Sequence, residues 1–297
     1  MSEQIWTVRE LLGWAREWLA KRGIESPRLD AELLLASALG CDRVRLYIDM
    51  DKPLTDDELG RFKPLVKRRG EREPVAYILG VKEFYGRPFF VEPGVFIPRP
   101  ETEILVQVAL EALSQLASTR TSLAEGPLRA LDLCTGSGAV GVTLAAERKD
   151  AQVDLAELAD APFLAARRNA ETHAPGRARV HQGDLFAALP DTSARYHAIT
   201  ANPPYIPDGE TLPPEVMQEP LRALFGGKDG LEVARRIIAE VPRWLLPGGF
   251  FATEIDPSQA VIVAGLCRAQ HLAEVRVVKD LAGLDRHVVA RAGLENA

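Results

Sequence analysis

The chain has 297 residues, of which 46 % are hydrophobic and 26 % charged, with a net charge of -6 and a pI near 5.5. That length suits one large domain or two ordinary ones, and the composition is that of a soluble globular protein. The acidic balance speaks against a grip on long nucleic acid through general electrostatics. Cys41, Cys134 and Cys267 lie far apart and form no Cys-x-x-Cys pair, which speaks against a disulfide framework or a zinc site and fits a reducing cytosol. The N-terminal residues carry no basic region followed by an apolar core, so no signal peptide is expected. No run approaches the ~18–20 apolar residues that a membrane span needs. A cytoplasmic protein is expected.

Residues 1–75 read as a small helical bundle. Trp6, Leu11, Leu12, Ala15, Leu19 and Ala20 recur at helical steps, with Thr7 as N-cap and Gly23 beyond the end. A second helix is expected over Pro27–Leu39, stopped by Gly40, and a short third piece around Leu46–Ile48. Thr55-Asp56-Asp57-Glu58 is a capping box that opens a helix bearing Leu59, Phe62, Leu65 and Val66. Lys67-Arg68-Arg69 and Arg72 form a basic cluster. It reads as a solvated helix face, with a docking surface for an acidic partner or RNA as the alternative.

Residues 76–100 read as a β-hairpin and linker. Glu73–Gly80 opens an extended section, and Glu83–Gly86 and Pro88–Val91 read as two strands joined at a glycine turn. Phe96-Ile97-Pro98-Arg99-Pro100-Glu101-Thr102-Glu103 is stiffened by its prolines. Thr102 or Glu101 is placed to cap a helix over about 103–117. Arg99 and Glu101, held on this rigid backbone, read as a wall over an active site, with a plain interdomain linker as the alternative.

From Arg129 strands and helices alternate, so 101–297 reads as an α/β domain with a mostly parallel, Rossmann-like sheet and right-handed crossovers. Val275–Lys279 and His287–Ala292 read as a closing antiparallel hairpin. The first strand ends in Cys134-Thr135-Gly136-Ser137-Gly138, a glycine-rich turn into a helix that lets a ligand approach the backbone. The second ends at Glu157, where an acid can hold a ribose hydroxyl pair. The third ends at Asp184, followed by Leu185 and Phe186, placed to receive an adenine amine and flank its ring. The fourth runs into Asn202-Pro203-Pro204-Tyr205. Two prolines fix two φ angles and remove two donors, so Asn202 is presented on a stiff turn beside the flat ring of Tyr205. Such a turn suits a planar group bearing an NH2, whose hydrogens carbonyl oxygens accept. An NAD enzyme needs the first three strand ends but has no use for the fourth. An S-adenosylmethionine-dependent methyltransferase of amines or amides needs all four.

These motifs, taken with Glu73-Pro74, Tyr77-Ile78-Leu79-Gly80, Glu219-Pro220 and Leu224-Phe225-Gly226-Gly227-Lys228-Asp229-Gly230, make the chain resemble the release-factor glutamine methyltransferases over essentially its whole length. The resemblance implies a helical substrate-recognition domain followed by a catalytic methyltransferase domain. It also implies S-adenosyl-L-methionine as methyl donor, S-adenosyl-L-homocysteine as product, and methylation of the glutamine amide in the Gly-Gly-Gln loop of class-1 peptide chain release factors. The Asn202 side-chain oxygen and the Pro203 carbonyl would accept the amide hydrogens, and Tyr205 would pack on the amide. No stable nucleic acid, no membrane and a monomeric state are expected. Three residues depart from the pattern. Cys134 stands where many relatives carry glycine, and cofactor binding survives this if φ there is negative. Glu157 replaces a more usual aspartate, and Leu185 a tryptophan. The rival readings are an adenine-amine methyltransferase acting on a flipped base, a binding module that has lost transfer, and, more distantly, an NAD oxidoreductase.

Overall fold

The computed structural model describes residues 6–119 and 126–294, which divide into two compact units: Met1–Val81 with Leu212–Gln218, and Lys82–Thr211 with Glu219–Ala297.

The first unit is helical. Helix α1 (Val8–Ala20) opens on a capping box between Thr7 and Glu10 and buries Val8, Leu11, Ala15 and Leu19. Helix α2 (Pro27–Leu39) ends at Gly40, whose φ of +65° glycine adopts without strain. Helix α3 (Arg43–Ile48) is capped by Asp42, and α4 (Asp56–Gly70) by the reciprocal bonds of Thr55 and Glu58. Their inward faces meet in one core containing Leu19, Leu34, Leu35, Leu46, Phe62 and Val66.

Two expectations are corrected here. Glu73–Gly80 does not run extended: Val75–Leu79 is helix α5, with Pro74 at its N-cap and Gly80 left-handed at its end. A single turn of apolar residues has no period that separates helix from strand, and burial of Tyr77 and Ile78 decides the matter. The basic cluster is also not a uniformly solvated face. Arg69 is 7 % exposed and its Nε lies 2.6 Å from Asp30 Oδ2, with Glu215 Oε1 3.3 Å from its Nη2. Arg72 shares that glutamate at 2.9 Å, while Lys67 stays in solvent.

The second unit begins with a hairpin, β1 (Val81–Phe84) and β2 (Arg87–Phe90), which turns at Tyr85 and Gly86, both at positive φ. Residues Pro100–Thr102 form a 3-10 turn that runs directly into α6 (Glu103–Thr119). Then follow β3 (Leu128–Leu133), α7 (Ala139–Glu147), β4 (Ala151–Glu157), α8 (Asp160–His173), β5 (Ala178–Gln182) and β6 (Tyr196–Ala201). The short α9 (Leu221–Leu224), α10 (Glu232–Trp244), β7 (Leu245–Glu254), α11 (Ala260–Ala269), β8 (Ala273–Lys279) and β9 (Asp285–Arg291) complete it.

The seven strands are ordered β5-β4-β3-β6-β7-β9-β8. The first five are parallel, and β9 pairs antiparallel with both β7 and β8, so the expected parallel sheet with a closing hairpin is present. One face packs on α6 and α7 through Leu105, Ala109, Leu113, Val142 and Phe250. The other packs on α10 and α11 through Ile237, Val241, Trp244, Phe251 and Val263. Burial on both faces explains why β3 and β6 read as short apolar runs rather than alternating ones. The chain reverses crossover direction between β3 and β6, and in such sheets the carboxyl ends beside that switch form the ligand crevice.

Candidate active site

The Asn202-Pro203-Pro204-Tyr205 turn leaves the end of β6 beside the end of β3, because Leu133 and Ala201 are register partners. Asn202 Nδ2 donates to Thr102 Oγ1 at 3.3 Å. Thr102 thereby ties the segment just ahead of α6 to the asparagine. An amide held by its nitrogen points its oxygen the other way, so Asn202 Oδ1 is directed as an acceptor. Segment 224–230 clamps the turn from outside. Ile206 N donates to Leu224 O at 3.0 Å, and Gly226 N to Ile206 O at 2.9 Å. Gly226 and Gly230 lie so close that a Cβ would meet Pro204 O at 2.3 Å and Tyr205 O at 2.1 Å. Gln259 Nε2 donates to Tyr205 O at 2.8 Å. The phenol of Tyr205 is pushed above its ordinary pKa by burial, with Glu254 adding to the rise and Arg286 and Arg99 opposing it. At neutral pH the ring is therefore a neutral, flat, half-buried surface.

The proline-threaded segment is anchored by Glu219. Its carboxylate pairs with the Arg99 guanidinium and accepts from Ile97 N at 3.0 Å. Arg99 also lies over the Phe96 ring, 5.0 Å from its centroid, while Glu101 is exposed.

At the end of β3, Asp132 is buried and accepts from Thr135 Oγ1, from Thr200 Oγ1 at 2.7 Å and from Gly141 N at 3.0 Å. Burial lifts its pKa to about 6, against those three bonds, which lower it. The carboxylate ties the glycine turn to α7 and β6. Glu157, one strand away, accepts from Gly136 N at 2.9 Å through Oε2 and from Leu158 N and Ala159 N at 2.9 and 3.0 Å through Oε1. Burial pushes its pKa up, against those backbone bonds. Gly136 has φ +57°, and a Cβ there would meet nothing within 4 Å, so the space beside the turn is open. Ser137 and Thr135 are buried beneath it. Asp184 is ion-paired with Arg236 at 2.6 Å. Phe186 stacks on Trp244 in the core, centroids 5.2 Å apart, and Leu185 is 8 % exposed.

Residues 10–80 match the PrmC N-terminal domain and residues 108–225 the methyltransferase small domain. A release factor glutamine methyltransferase of Geobacter sulfurreducens is 42 % identical, covering 98 % of each chain. Those of Rhodopirellula baltica and Coxiella burnetii are 38 % and 39 % identical, over 95 % and 91 % of this chain and 95 % and 93 % of theirs. This chain belongs to the release factor glutamine methyltransferase family. Solved structures share the fold. The human Mettl16 catalytic domain, in complex with a MAT2A 3'UTR hairpin, aligns with a TM-score of 0.55 at 15 % identity, covering 82 % of each chain. The Thermus thermophilus 16S rRNA N2 G1207 methyltransferase RsmC, in complex with AdoMet and guanosine, gives 0.50 at 24 %, covering 71 % of this chain and 49 % of that one.

One feature sets this family member's glycine turn apart from the expectation of negative φ at Cys134. Its φ is +55°, in the left-handed region, so the cysteine carries strain that a glycine would not. Leu185 also sits at +50°. Two non-glycine residues at positive φ therefore flank the expected cofactor crevice, which is where backbone strain tends to collect. Two residues near Tyr205 had no role in the sequence reading: Gln259 and Glu254. The local signal of Gln259 is the capping box it makes with Asp256, which says nothing of its bond to Tyr205 O. Glu254, a carboxylate inside the apolar run Phe250–Ile255, was conspicuous only as an acid in an otherwise apolar strand.

Proposed function

We propose that the chain transfers a methyl group from S-adenosyl-L-methionine to the side-chain amide nitrogen (N5) of the glutamine in the Gly-Gly-Gln motif of class-1 peptide chain release factors, in support of translation termination. S-adenosyl-L-homocysteine is the second product. The observation that carries this reading is the adjacency of two strand ends: β3 bears the open glycine turn, and β6 beside it bears Asn202-Pro203-Pro204-Tyr205. The family's name points to the same substrate.

The residues around the turn fit an adenosyl ligand. Thr135, Gly136, Ser137 and Gly138 leave room for close backbone approach, and Cys134 and Leu185 bound the crevice. Glu157 keeps acceptor capacity for ribose hydroxyls beyond its three backbone bonds, since a carboxylate offers about four lone-pair sites. Asp184 stands at the adenine end. When bound, the cofactor supplies an electrophilic methyl group on a sulfonium.

The rest of the chemistry falls to the protein. An amide nitrogen is a weak nucleophile because its lone pair is delocalised into the carbonyl. Asn202 Oδ1 and the Pro203 carbonyl accept its two hydrogens and hold the nitrogen with its lone pair towards the methyl. Pro204 keeps the turn rigid, and Tyr205 packs on the amide and excludes water. Orientation and a dry, preorganised set of acceptors account for most of the acceleration. Arg99 and Glu101 line the approach of the substrate loop, and the helical residues 1–75 read the partner protein. The enzyme works as a cytoplasmic monomer without stable nucleic acid. Among the described residues no helix is long and apolar enough to cross a membrane.

The test is incubation with labelled S-adenosylmethionine and a purified class-1 release factor, followed by mapping of the label by mass spectrometry. Label on the Gly-Gly-Gln glutamine is expected. Cofactor binding with no label there would overturn the assignment and redirect the assay to adenine in nucleic acid.

A further inference from the structure

Beyond Asn202 the carboxyl edge of the sheet carries a second pair of polar groups. Ala201 is the register partner of Thr253, and Asn202 and Glu254 are the residues that follow them. Glu254 is in turn the register partner of His287. Side chains in register on neighbouring strands project from the same face, ~4.8 Å apart at their Cα atoms. Ala198, Ala252 and Val289 place that face against α6, where Thr102 receives the Asn202 amide. Glu254 and His287 thus form a pair across β7 and β9, with Asn202 just past the end of the neighbouring β6.

Glu254 is 1 % exposed and His287 0 %. Glu254 Oε2 and both ring nitrogens of His287 have no hydrogen-bond partner. The Oε2–Nε2 separation is 3.7 Å, an ion-pair distance too long for a hydrogen bond. Leaving a buried carboxylate and an imidazole unpaired is costly, so such groups point to a donor that arrives during function. Among ionisable neighbours, Tyr205 feels Glu254, together with Arg286, Arg99 and Asp256.

Methylation of an amide nitrogen must shed one proton, and neither Asn202 Oδ1 nor a backbone carbonyl can keep it. We propose that Glu254 is the base that takes this proton, with His287 as a positioning residue behind it. The reading rests on the amide-methyl transfer proposed above. The nitrogen lone pair forms the N–C bond, the methyl–sulfur bond breaks with its electron pair staying on sulfur, and the N–H proton held at Asn202 Oδ1 then leaves for the Glu254 carboxylate. The products are the N-methyl amide, the neutral thioether and protonated Glu254. His287, packed 3.7 Å behind the carboxylate, fixes its position.

The test uses the full chain with S-adenosylmethionine and an intact class-1 release factor, in single turnovers with both saturating. Glu254→Gln keeps shape and size but cannot accept the proton. Its rate constant should fall by about 10²-fold, the usual scale for a lost general base, and a solvent deuterium isotope effect of about 2 or more in the unaltered enzyme should vanish. Dissociation constants for cofactor and release factor should stay within about threefold, and Glu254→Asp should recover part of the rate. His287→Gln should lower the rate less than Glu254→Gln does and reduce the isotope effect. A Glu254→Gln rate within threefold of the unaltered enzyme overturns the proposal. So does a rate loss matched by loss of binding or melting temperature with the isotope effect unchanged, which would make the pair structural. An unaltered enzyme that binds cofactor yet leaves the glutamine unlabelled removes the functional reading itself, a result separable from either of these.

Discussion

The amide nitrogen of Asn202 is held by the Thr102 hydroxyl at 3.3 Å, so the end of the proline-threaded segment fixes the start of the Asn-Pro-Pro-Tyr turn. Removing the acceptor and loosening it should differ in size. Asn202→Ala is expected to lower the methylation rate constant by about 10²–10³-fold, as loss of a preorganised transition-state contact does. Thr102→Val should cost about fivefold, near the net worth of one neutral hydrogen bond, and Thr102→Ser should restore the rate. Single-turnover rates alongside cofactor affinities check both. An Asn202→Ala enzyme within threefold of normal, with cofactor bound, would sink the assignment.

Gly230 has φ +73° and would drive a Cβ to 2.1 Å from Tyr205 O. Gly230→Ala should therefore displace the turn from outside, with no change in any group that meets substrate. Activity should fall at least tenfold while cofactor affinity stays within about threefold, the two being read by methyl transfer and calorimetry. A fully active Gly230→Ala enzyme would show that the clamp is dispensable.

Asp132, raised to about 6 by burial, gives a pH signature whose sign follows from linkage. Between the unfolded value near 3.9 and the folded value, the native state binds more protons than the unfolded chain, so this group's contribution to stability declines as pH rises through that window. Asp132→Asn removes that titration but also the acceptor for Gly141 N. The stability advantage of the unaltered protein over the variant should be largest near pH 4 and shrink towards pH 7. Urea unfolding at several pH values measures it, and an advantage that grows with pH would contradict the buried-acid reading.

Arg69 and Asp30 form a buried pair, and burial raises the Asp30 pKa against the lowering by Arg69. Arg69→Met leaves that carboxylate uncompensated and should cost about 3–5 kcal/mol. The double variant Asp30→Leu with Arg69→Met should cost less than the single one. Chemical denaturation followed by a tryptophan signal, with Trp14 and Trp18 stacked in this unit, reports it. A double variant worse than the sum of the singles would refute the desolvation argument.

Cys134 sits at φ +55°. Cys134→Gly should relieve roughly 1 kcal/mol of left-handed strain, partly offset by the greater freedom of glycine in the unfolded chain. The melting temperature should hold or rise, and cofactor affinity should not weaken. Weaker binding in the glycine variant would instead show that the thiol contacts the ligand.

Local features were legible in the sequence because short-range chemistry writes them. Prolines and glycines marked the Asn202–Tyr205 and Gly136–Gly138 turns, an N-cap threonine marked α1 and a capping box α4, and strand–helix alternation from Arg129 implied the parallel sheet with its closing hairpin. Residues 73–80 were misread because one turn of apolar side chains has no usable period. Arg69 looked like surface because a helix face cannot announce the Asp30 and Glu215 that cover it. The positive φ of Cys134 and the pairing of Glu254 with His287 belong to tertiary structure alone. Sheet order and register arise from pairing between segments far apart in the chain, so only the folded sheet could bring Glu254 of β7 and His287 of β9 together, with Asn202 just past the end of the neighbouring β6.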